Sequence, residues 1–332
     1  MSANRKNVAV VGCGNWGKNI VRSLGEMGQL AAISDPNPHN PHAKSYAEKF
    51  SCPLLSFEDV LALPSCQGVV IATPTATHFE LASAALKAGK HVFVEKPLVR
   101  ETDQNHNLVA LAKSHDKTLM VGHILLYHPA YQAVEKIAKS DIGQILYITT
   151  RRTNLGRFFP GESALWDLAP HDLAMILNLY QRAPKRVFCH QVSCVEKGVG
   201  DFASVDLDFG DGQQANLYFS RFSPTKEQKM TIHGSKGFAV FDDTQDWNHK
   251  VTLYPSHVTS ESGSAPKIHA IESKPIPLES AEPLKLELQS FIDSFDHPQN
   301  NKSDGNQALI VLAVIQAAEQ SSTTKSWVDL QF

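Results

Sequence analysis

The sequence predicts an α/β domain built on a parallel sheet, followed by an α+β domain with an open, mainly antiparallel sheet covered by helices. Three observations carry that expectation. Short Val- and Ile-rich runs alternate with helix-length segments between residue 7 and residue 123. Those runs are apolar throughout rather than at every second position, and beyond residue 123 the apolar pattern turns to period two. A strand apolar on both faces belongs to a sheet flanked by helices on both sides, whereas period two marks a sheet with one face turned to a core. With 332 residues the chain has room for two domains, expected over 1–123 and 124–332.

The strand-like runs of the first domain are 8–11, 30–34, 68–72, 91–94 and 118–121, with helical segments at 15–27, 76–87 and 101–113. In the second domain 128–139 reads as a helix, and Asp141-Ile142-Gly143 turns the chain into a strand at 144–151. A helix starting near Ser163 passes through Pro170 with a distorted turn, because proline offers no N–H to the turn before it. Segments 187–195, 203–209, 214–219, 229–232 and 238–241 alternate as strands, and Asp211-Gly212 is a hairpin signal between two of them. The Ser-, Pro-, His- and Glu-rich stretch 255–283 is expected as a surface arm. Helical periodicity returns at 284–295 and 307–318, where the helices are free to pack back on the first domain.

Charge excludes some functions. Lys and Arg number 31 against 34 Asp and Glu, a net charge of -3, so nothing in the balance favours nucleic acid or an anionic membrane as a partner. The five cysteines show no Cys-x-x-Cys spacing, which removes a disulfide scaffold and a cysteine metal site from consideration; no metal is expected. No run approaches the roughly 18 apolar residues of a spanning helix. The apolar run at 8–11 ends at Gly12, too short for a secretory signal, so a cytoplasmic enzyme is expected.

Gly12-Cys13-Gly14-Asn15-Trp16-Gly17 follows the first strand and opens the first helix. Gly12 permits a tight turn, Gly14 lets the backbone approach a pyrophosphate, and Gly17 lets the helix pack on the sheet; free N–H groups of the helix face the anion. Asn15 and Trp16 lie in the same loop. Asp35 ends the second strand 21 residues after Gly14. A carboxylate there accepts hydrogen bonds from ribose hydroxyls and repels a 2′-phosphate, which favours NAD over NADP. The pattern therefore predicts a dinucleotide-binding Rossmann domain. Thr73-Pro74 closes another strand, where a loop contacts the cofactor, and His78 in the next helix reads as a structural or cofactor-edge residue.

Glu95-Lys96-Pro97 follows the strand at 91–94, and 165–172 reads Leu-Trp-Asp-Leu-Ala-Pro-His-Asp. From context, Lys96 lies beyond a parallel strand's carboxyl end, where an ammonium stabilises a developing alkoxide; the alternative is an exposed loop lysine with Glu95 as its ion-pair partner. Asp167 and His171 stand four apart on one helix face, and an imidazole suits a general base; the alternative is a helix-surface pair or a buried histidine satisfied by the acid. Asp167 either orients that imidazole or contacts sugar hydroxyls. With the glycine loop and the Thr-Pro loop, these strings resemble the glucose–fructose oxidoreductase, inositol dehydrogenase and MocA family over essentially the whole chain. The resemblance implies Lys96, His171 and Asp167 as catalytic residues, with His171 as proton acceptor, and Gly12, Gly14, Asn15, Trp16, Gly17, Asp35, Thr73, Pro74, His78, Glu95 and Lys96 around NAD.

Further polar residues fit a substrate surface: His123, Tyr127, Arg152, Asn154 and Arg157, the arginines suited to phosphate or carboxylate. Arg151 and Arg152 point to opposite faces of a strand, so at most one of them lines a site. Segments 122–129 and 152–156 look like family members of surface-polysaccharide sugar synthesis. That resemblance implies oxidation of a ring secondary hydroxyl, C3, of a nucleotide-diphosphate sugar by a homodimer or homotetramer. The alternatives are free inositol or a simple sugar as substrate, or a catalytically inactive dinucleotide-binding sensor subunit.

Overall fold

A computed structural model describes residues 7–332 apart from 157, 159, 160 and 261. The chain begins β1 (Asn7–Val11), α1 (Gly17–Glu26), β2 (Leu30–Ser34), α2 (Pro41–Phe50), α3 (Phe57–Ala62), β3 (Cys66–Ile71), α4 (His78–Lys87), β4 (His91–Val94), α5 (Thr102–Ser114) and β5 (Leu119–Val121). These five strands form one parallel sheet in the order β2-β1-β3-β4-β5. The order reverses between β1 and β3, so the crevice beyond their carboxyl ends is where such a sheet takes its ligand.

The chain continues with α6 (Pro129–Ser140), β6 (Ile145–Leu155), α7 (Ala164–Tyr180), β7 (Arg186–Val192), β8 (Phe202–Gly210), β9 (Gln213–Ser220), β10 (Phe222–Gly234), β11 (Gly237–Asp242), β12 (Val251–Tyr254), β13 (His257–Thr259), β14 (Lys267–His269) and β15 (Lys274–Pro275). It closes with α8 (Pro283–Asp293), α9 (Gly305–Thr324) and β16 (Val328–Asp329). Nine of these strands make a sheet in the order β15-β12-β11-β10-β6-β9-β8-β7-β16. Its neighbours run antiparallel except β6 and β9, which are parallel. The arm expected at 255–283 contains the small β13–β14 hairpin and the edge strand β15.

Two compact units result: Met1–Tyr127 with Glu282–Leu312, and His128–Ala281 with Ala313–Phe332. Within the first, Phe291 of α8 meets Phe93 of β4 edge-on, and Phe295 stacks on His91 at 4.1 Å. Gly68 of β3 makes room for Phe295, whose ring would lie 2.6 Å from a β-carbon at that position. Ion pairs from Arg22 and Lys285 to Glu282 and Glu26 link α1 to α8. The sheet thus gains a helix from far along the chain.

Within the second unit, alternate residues of β8 and β11 are buried against helices, the periodicity read from the sequence. The other face of that sheet carries a ring cluster: Tyr147 stacks on His233, which meets Phe238 edge-on, and Arg151 lies over Tyr218. A charged cluster sits by β11, where Asp243 accepts from Lys250 at 2.7 Å and faces His128 Nε2 at 3.3 Å. Burial pushes the Asp243 carboxyl up, but hydrogen bonds and charge from His128 and Lys250 outweigh it and hold the group at about 2, below its ordinary 3.8. The folded state therefore binds the proton less well than the unfolded chain. Its stabilisation is complete above the ordinary value and is lost as pH falls from there to about 2. Asp243→Asn should flatten this acid limb and lower stability at pH 7 by about 2 kcal/mol. Urea midpoints measured from pH 2 to pH 7 check it.

Candidate active site

Residues singled out in the sequence lie in both units. In the first, β1 delivers the chain into the glycine turn at its carboxyl end. Gly12 has φ of +93°, and a β-carbon there would lie 2.7 Å from the Ala72 carbonyl oxygen. One on Gly17 would lie 2.1 Å from the Gly12 carbonyl oxygen, whereas nothing lies within 4 Å of the corresponding position on Gly14. Two glycines are thus required by the fold, and the third leaves open space beside the backbone. A pyrophosphate needs that space. The residues present fit NAD.

Asp35 is held from three sides. The Cys13 backbone N–H donates to Oδ2 at 2.7 Å, Asn40 Nδ2 donates to the same oxygen at 3.0 Å, and the Asn37 N–H donates to Oδ1 at 2.9 Å. Asn40 escaped the sequence reading, although an Asn before Pro41 is a helix-capping signal; its Oδ1 does accept from the His42 N–H. Asp35, Pro36, Glu58, Thr73, Pro74 and Thr77 line a cleft of about 410 Å³. Its two carboxylates oppose a 2′-phosphate. Asp35→Ala should weaken NAD binding about tenfold and narrow its preference over NADP, since one charge-assisted bond goes and one repulsive charge with it. Titration calorimetry with both dinucleotides reads the result; unchanged preference would place the discrimination elsewhere.

Beyond β4 comes Glu95-Lys96-Pro97, with a cis peptide bond between Lys96 and Pro97. Trp16 Nε1–H donates to Glu95 Oε1 at 2.6 Å, so the glycine loop and the lysine loop are joined. Gly122 leaves room for that carboxylate, which would lie 2.9 Å from a β-carbon there. Burial pushes Glu95 up to about 7, while Trp16 and Lys96 pull it back. Burial first, then the Lys96 charge, pushes the His123 imidazole down to about 4, so it is neutral at pH 7. His123 is buried and neither of its ring nitrogens has a hydrogen-bond partner. Glu287 of α8 is buried too and is raised well above its usual range by burial and then by the charge of Glu95. His78 is buried, with Nε2 2.8 Å from the Thr73 carbonyl oxygen and Nδ1 3.0 Å from that of Pro97.

Tyr127, expected on the substrate surface, is buried in the first unit, its hydroxyl 3.1 Å from Ser303 Oγ and accepting from the Lys302 N–H. Its phenol is therefore engaged within the fold.

In the second unit, Ser163 caps α7, its Oγ accepting from the Trp166 N–H. Pro170 lies inside the helix without ending it. From 163 to 177 only Asp167, Leu168 and His171 are not buried. The two polar groups read from the sequence thus share the one accessible face of this stretch of α7. Asp172 points the other way and is buried against Arg152 of β6, whose Nη2 and Nε donate to its carboxylate at 2.7 and 3.2 Å. Arg152 was expected to bind substrate anions; its fork is instead closed on Asp172. Arg151 lies on the opposite face of β6 beside Glu227. Asn154 follows on the Arg152 face, and its buried Oδ1 has no donor among the described residues. Arg157 lies outside the described residues. Asp172→Ala would leave the Arg152 charge buried without its partner, at an expected cost of about 3 kcal/mol. Arg152→Met with Asp172→Leu should recover most of that, as urea midpoints will show.

Two sequence models of one family, the second describing its C-terminal domain, match residues 6–123 and 131–240. The first is described as the GFO/IDH/MocA oxidoreductase family with an NAD-binding Rossmann fold. The chain belongs to the GFO/IDH/MocA family. This member is accordingly an NAD-binding oxidoreductase, and its parallel sheet and mainly antiparallel second sheet are the family's two folds. It is 28% identical over 307 residues to a UDP-N-acetylglucosamine 3-dehydrogenase of Acidithiobacillus ferrooxidans, which covers 92% of this chain and 93% of that one. The solved structure of that enzyme superposes with a TM-score of 0.82, at 25% identity and over 96% of this chain and 98% of the other. An inositol 2-dehydrogenase of Rhizobium meliloti is 24% identical over 335 residues, covering 97% and 98%. A structure of GenD2 from gentamicin A biosynthesis in complex with NAD shares the fold at a TM-score of 0.83, with 22% identity over 100% and 98% of the chains. Among the described residues no helix is long and apolar enough to cross a membrane.

Proposed function

We propose that the protein oxidises a ring secondary hydroxyl, C3, of a nucleotide-diphosphate sugar to a ketone. The observation that carries the reading is the similarity, across nine-tenths of both chains, to a UDP-N-acetylglucosamine 3-dehydrogenase. The accessible face of α7 supports it, since the carboxylate of Asp167 and the imidazole of His171 there are the chemistry an alcohol oxidation needs. Free inositol is the second reading, favoured by the similarity to an inositol 2-dehydrogenase.

In this reading Gly12, Gly14, Asn15, Trp16 and Gly17 hold the pyrophosphate, Asp35 the adenosine ribose, and Thr73 and Pro74 the opposite wall. NAD, when bound, supplies the two-electron oxidant that takes the hydrogen from the carbinol carbon. His171 accepts the hydroxyl proton, and Asp167 orients the imidazole. Lys96 acts on the same oxygen, its ammonium stabilising the charge that appears there as the proton leaves. His123, kept neutral, offers the substrate a hydrogen-bond partner without adding charge beside Lys96. A 3-keto sugar leaves the enzyme, suited to a following transamination in the synthesis of surface-polysaccharide sugars. The protein acts in the cytoplasm as a homodimer or homotetramer, with the ring-bearing face of the second sheet as the contact surface. Incubation with NAD and candidate nucleotide sugars, followed at 340 nm, tests the substrate class; reduction with inositol alone would favour the second reading.

A further inference from the structure

We infer that His78 is a positioning residue for Lys96. The inference rests on the reading of Lys96 as catalytic. Beyond Val94 the strand β4 ends: Glu95 still donates its N–H to the Ile71 carbonyl of β3 at 2.9 Å, and the ladder register goes no further towards Lys96, Pro97 and Leu98. His78 Nδ1 lies 3.0 Å from the Pro97 carbonyl oxygen and 3.2 Å from that of Leu98. Across the ring, Nε2 lies 2.8 Å from the Thr73 carbonyl oxygen. The imidazole therefore stands between the two residues that follow Lys96 and the loop that walls the dinucleotide cleft. It is buried, with 1% of its surface exposed, so water does not replace it as a donor.

Carbonyl oxygens only accept hydrogen bonds, so the nitrogen that bonds them carries a proton. A neutral imidazole donates from one side and an imidazolium from both. For His78 to hold the lysine loop, Nδ1 must be the protonated nitrogen. On the other side of Lys96, Glu95 is tied to the glycine loop by Trp16 at 2.6 Å. Lys96 is thus flanked by two anchors, and both come from segments that line the dinucleotide site. Without the Nδ1 donor, the Pro97 and Leu98 carbonyls would give up a bonded partner inside the protein, and the loop would move to find another. A displacement of about 1 Å at a reacting group suffices to cost a large part of the rate.

Two substitutions separate the sides of the ring. The amide nitrogen of asparagine replaces Nδ1, and that of glutamine replaces Nε2. His78→Gln should lower kcat about tenfold at saturating NAD, the worth of one hydrogen bond of ordinary strength. It should also change the rate at which an N-hydroxysuccinimide ester acylates Lys96, read by peptide mass spectrometry. His78→Asn should restore both toward wild type. Equal behaviour of the two variants, or loss in His78→Asn with retention in His78→Gln, overturns the assignment. The acylation rate needs no substrate, so it reads the anchor even if no nucleotide sugar is oxidised. The ¹⁵N shifts of the His78 ring in the wild-type protein decide the matter if neither variant folds: a protonated Nδ1 supports the anchor, and an unprotonated Nδ1 sinks it.

Discussion

Lys96→Met should lower kcat about ten-thousandfold while leaving the affinity for NAD within about twofold. The methionine keeps the length and apolar stem of the lysine and removes the charge. A preorganised positive group beside a developing alkoxide contributes about two to three orders of magnitude, and participation in proton transfer adds more. In the proposed function, binding of the dinucleotide draws on the glycine turn and Asp35, neither of which depends on the ammonium. A second signature accompanies the loss. The Lys96 charge is one of the two causes that depress His123, so its imidazole should titrate closer to an ordinary histidine in the variant. NMR titration of His123 and stopped-flow turnover together check this. A variant that turns over like wild type, with His123 unmoved, would remove Lys96 from the chemistry.

His171→Asn should cost about a thousandfold in kcat. The amide still donates a hydrogen bond but takes up no proton at neutral pH. The direction of the pH effect follows from the direction of transfer. Oxidation needs the base unprotonated, so the wild-type rate rises with pH as the base loses its proton, and that rise should vanish in the variant. Hydroxide replaces the missing base only at high pH. A log kcat that grows with unit slope in the variant, without the wild-type plateau, is the expected profile. If the profile keeps its wild-type shape, another group is the base.

Much of the first sheet was legible in the sequence because its strands are short, apolar on both faces and bounded by glycine or by a helix. The glycine turn and Asp35 were legible for the same local reason, since a tight turn demands glycine whatever surrounds it. Residues whose partners lie far along the chain were not. Nothing near Arg152 says that its partner is Asp172, twenty positions on and on a different element. Tyr127 reads as a polar ring after a strand, yet its hydroxyl meets Ser303 and Lys302. The long strand β10 was read only over its last residues, because its register shifts after Phe222 and breaks the alternation. The parallel pairing of β6 with β9 was hidden too, as alternation is the same for either direction. Glu282–Leu312 groups with the first unit, as the helical segments at 284–295 and 307–318 left open, but the aromatic contacts on β3 and β4 that hold it there follow no linear pattern.

In the proposed function, hydrogen leaves the C3 carbon of a nucleotide sugar for NAD while the chain's own base takes the hydroxyl proton. UDP-N-acetylglucosamine carrying deuterium at C3 tests it directly. The reduced cofactor should carry the deuterium, the rate should fall by a primary isotope effect under single-turnover conditions, and a 3-keto sugar should accumulate. Deuterium retained in the sugar while NAD is reduced, or no reduction with any nucleotide sugar alongside rapid reduction with inositol, would contradict it.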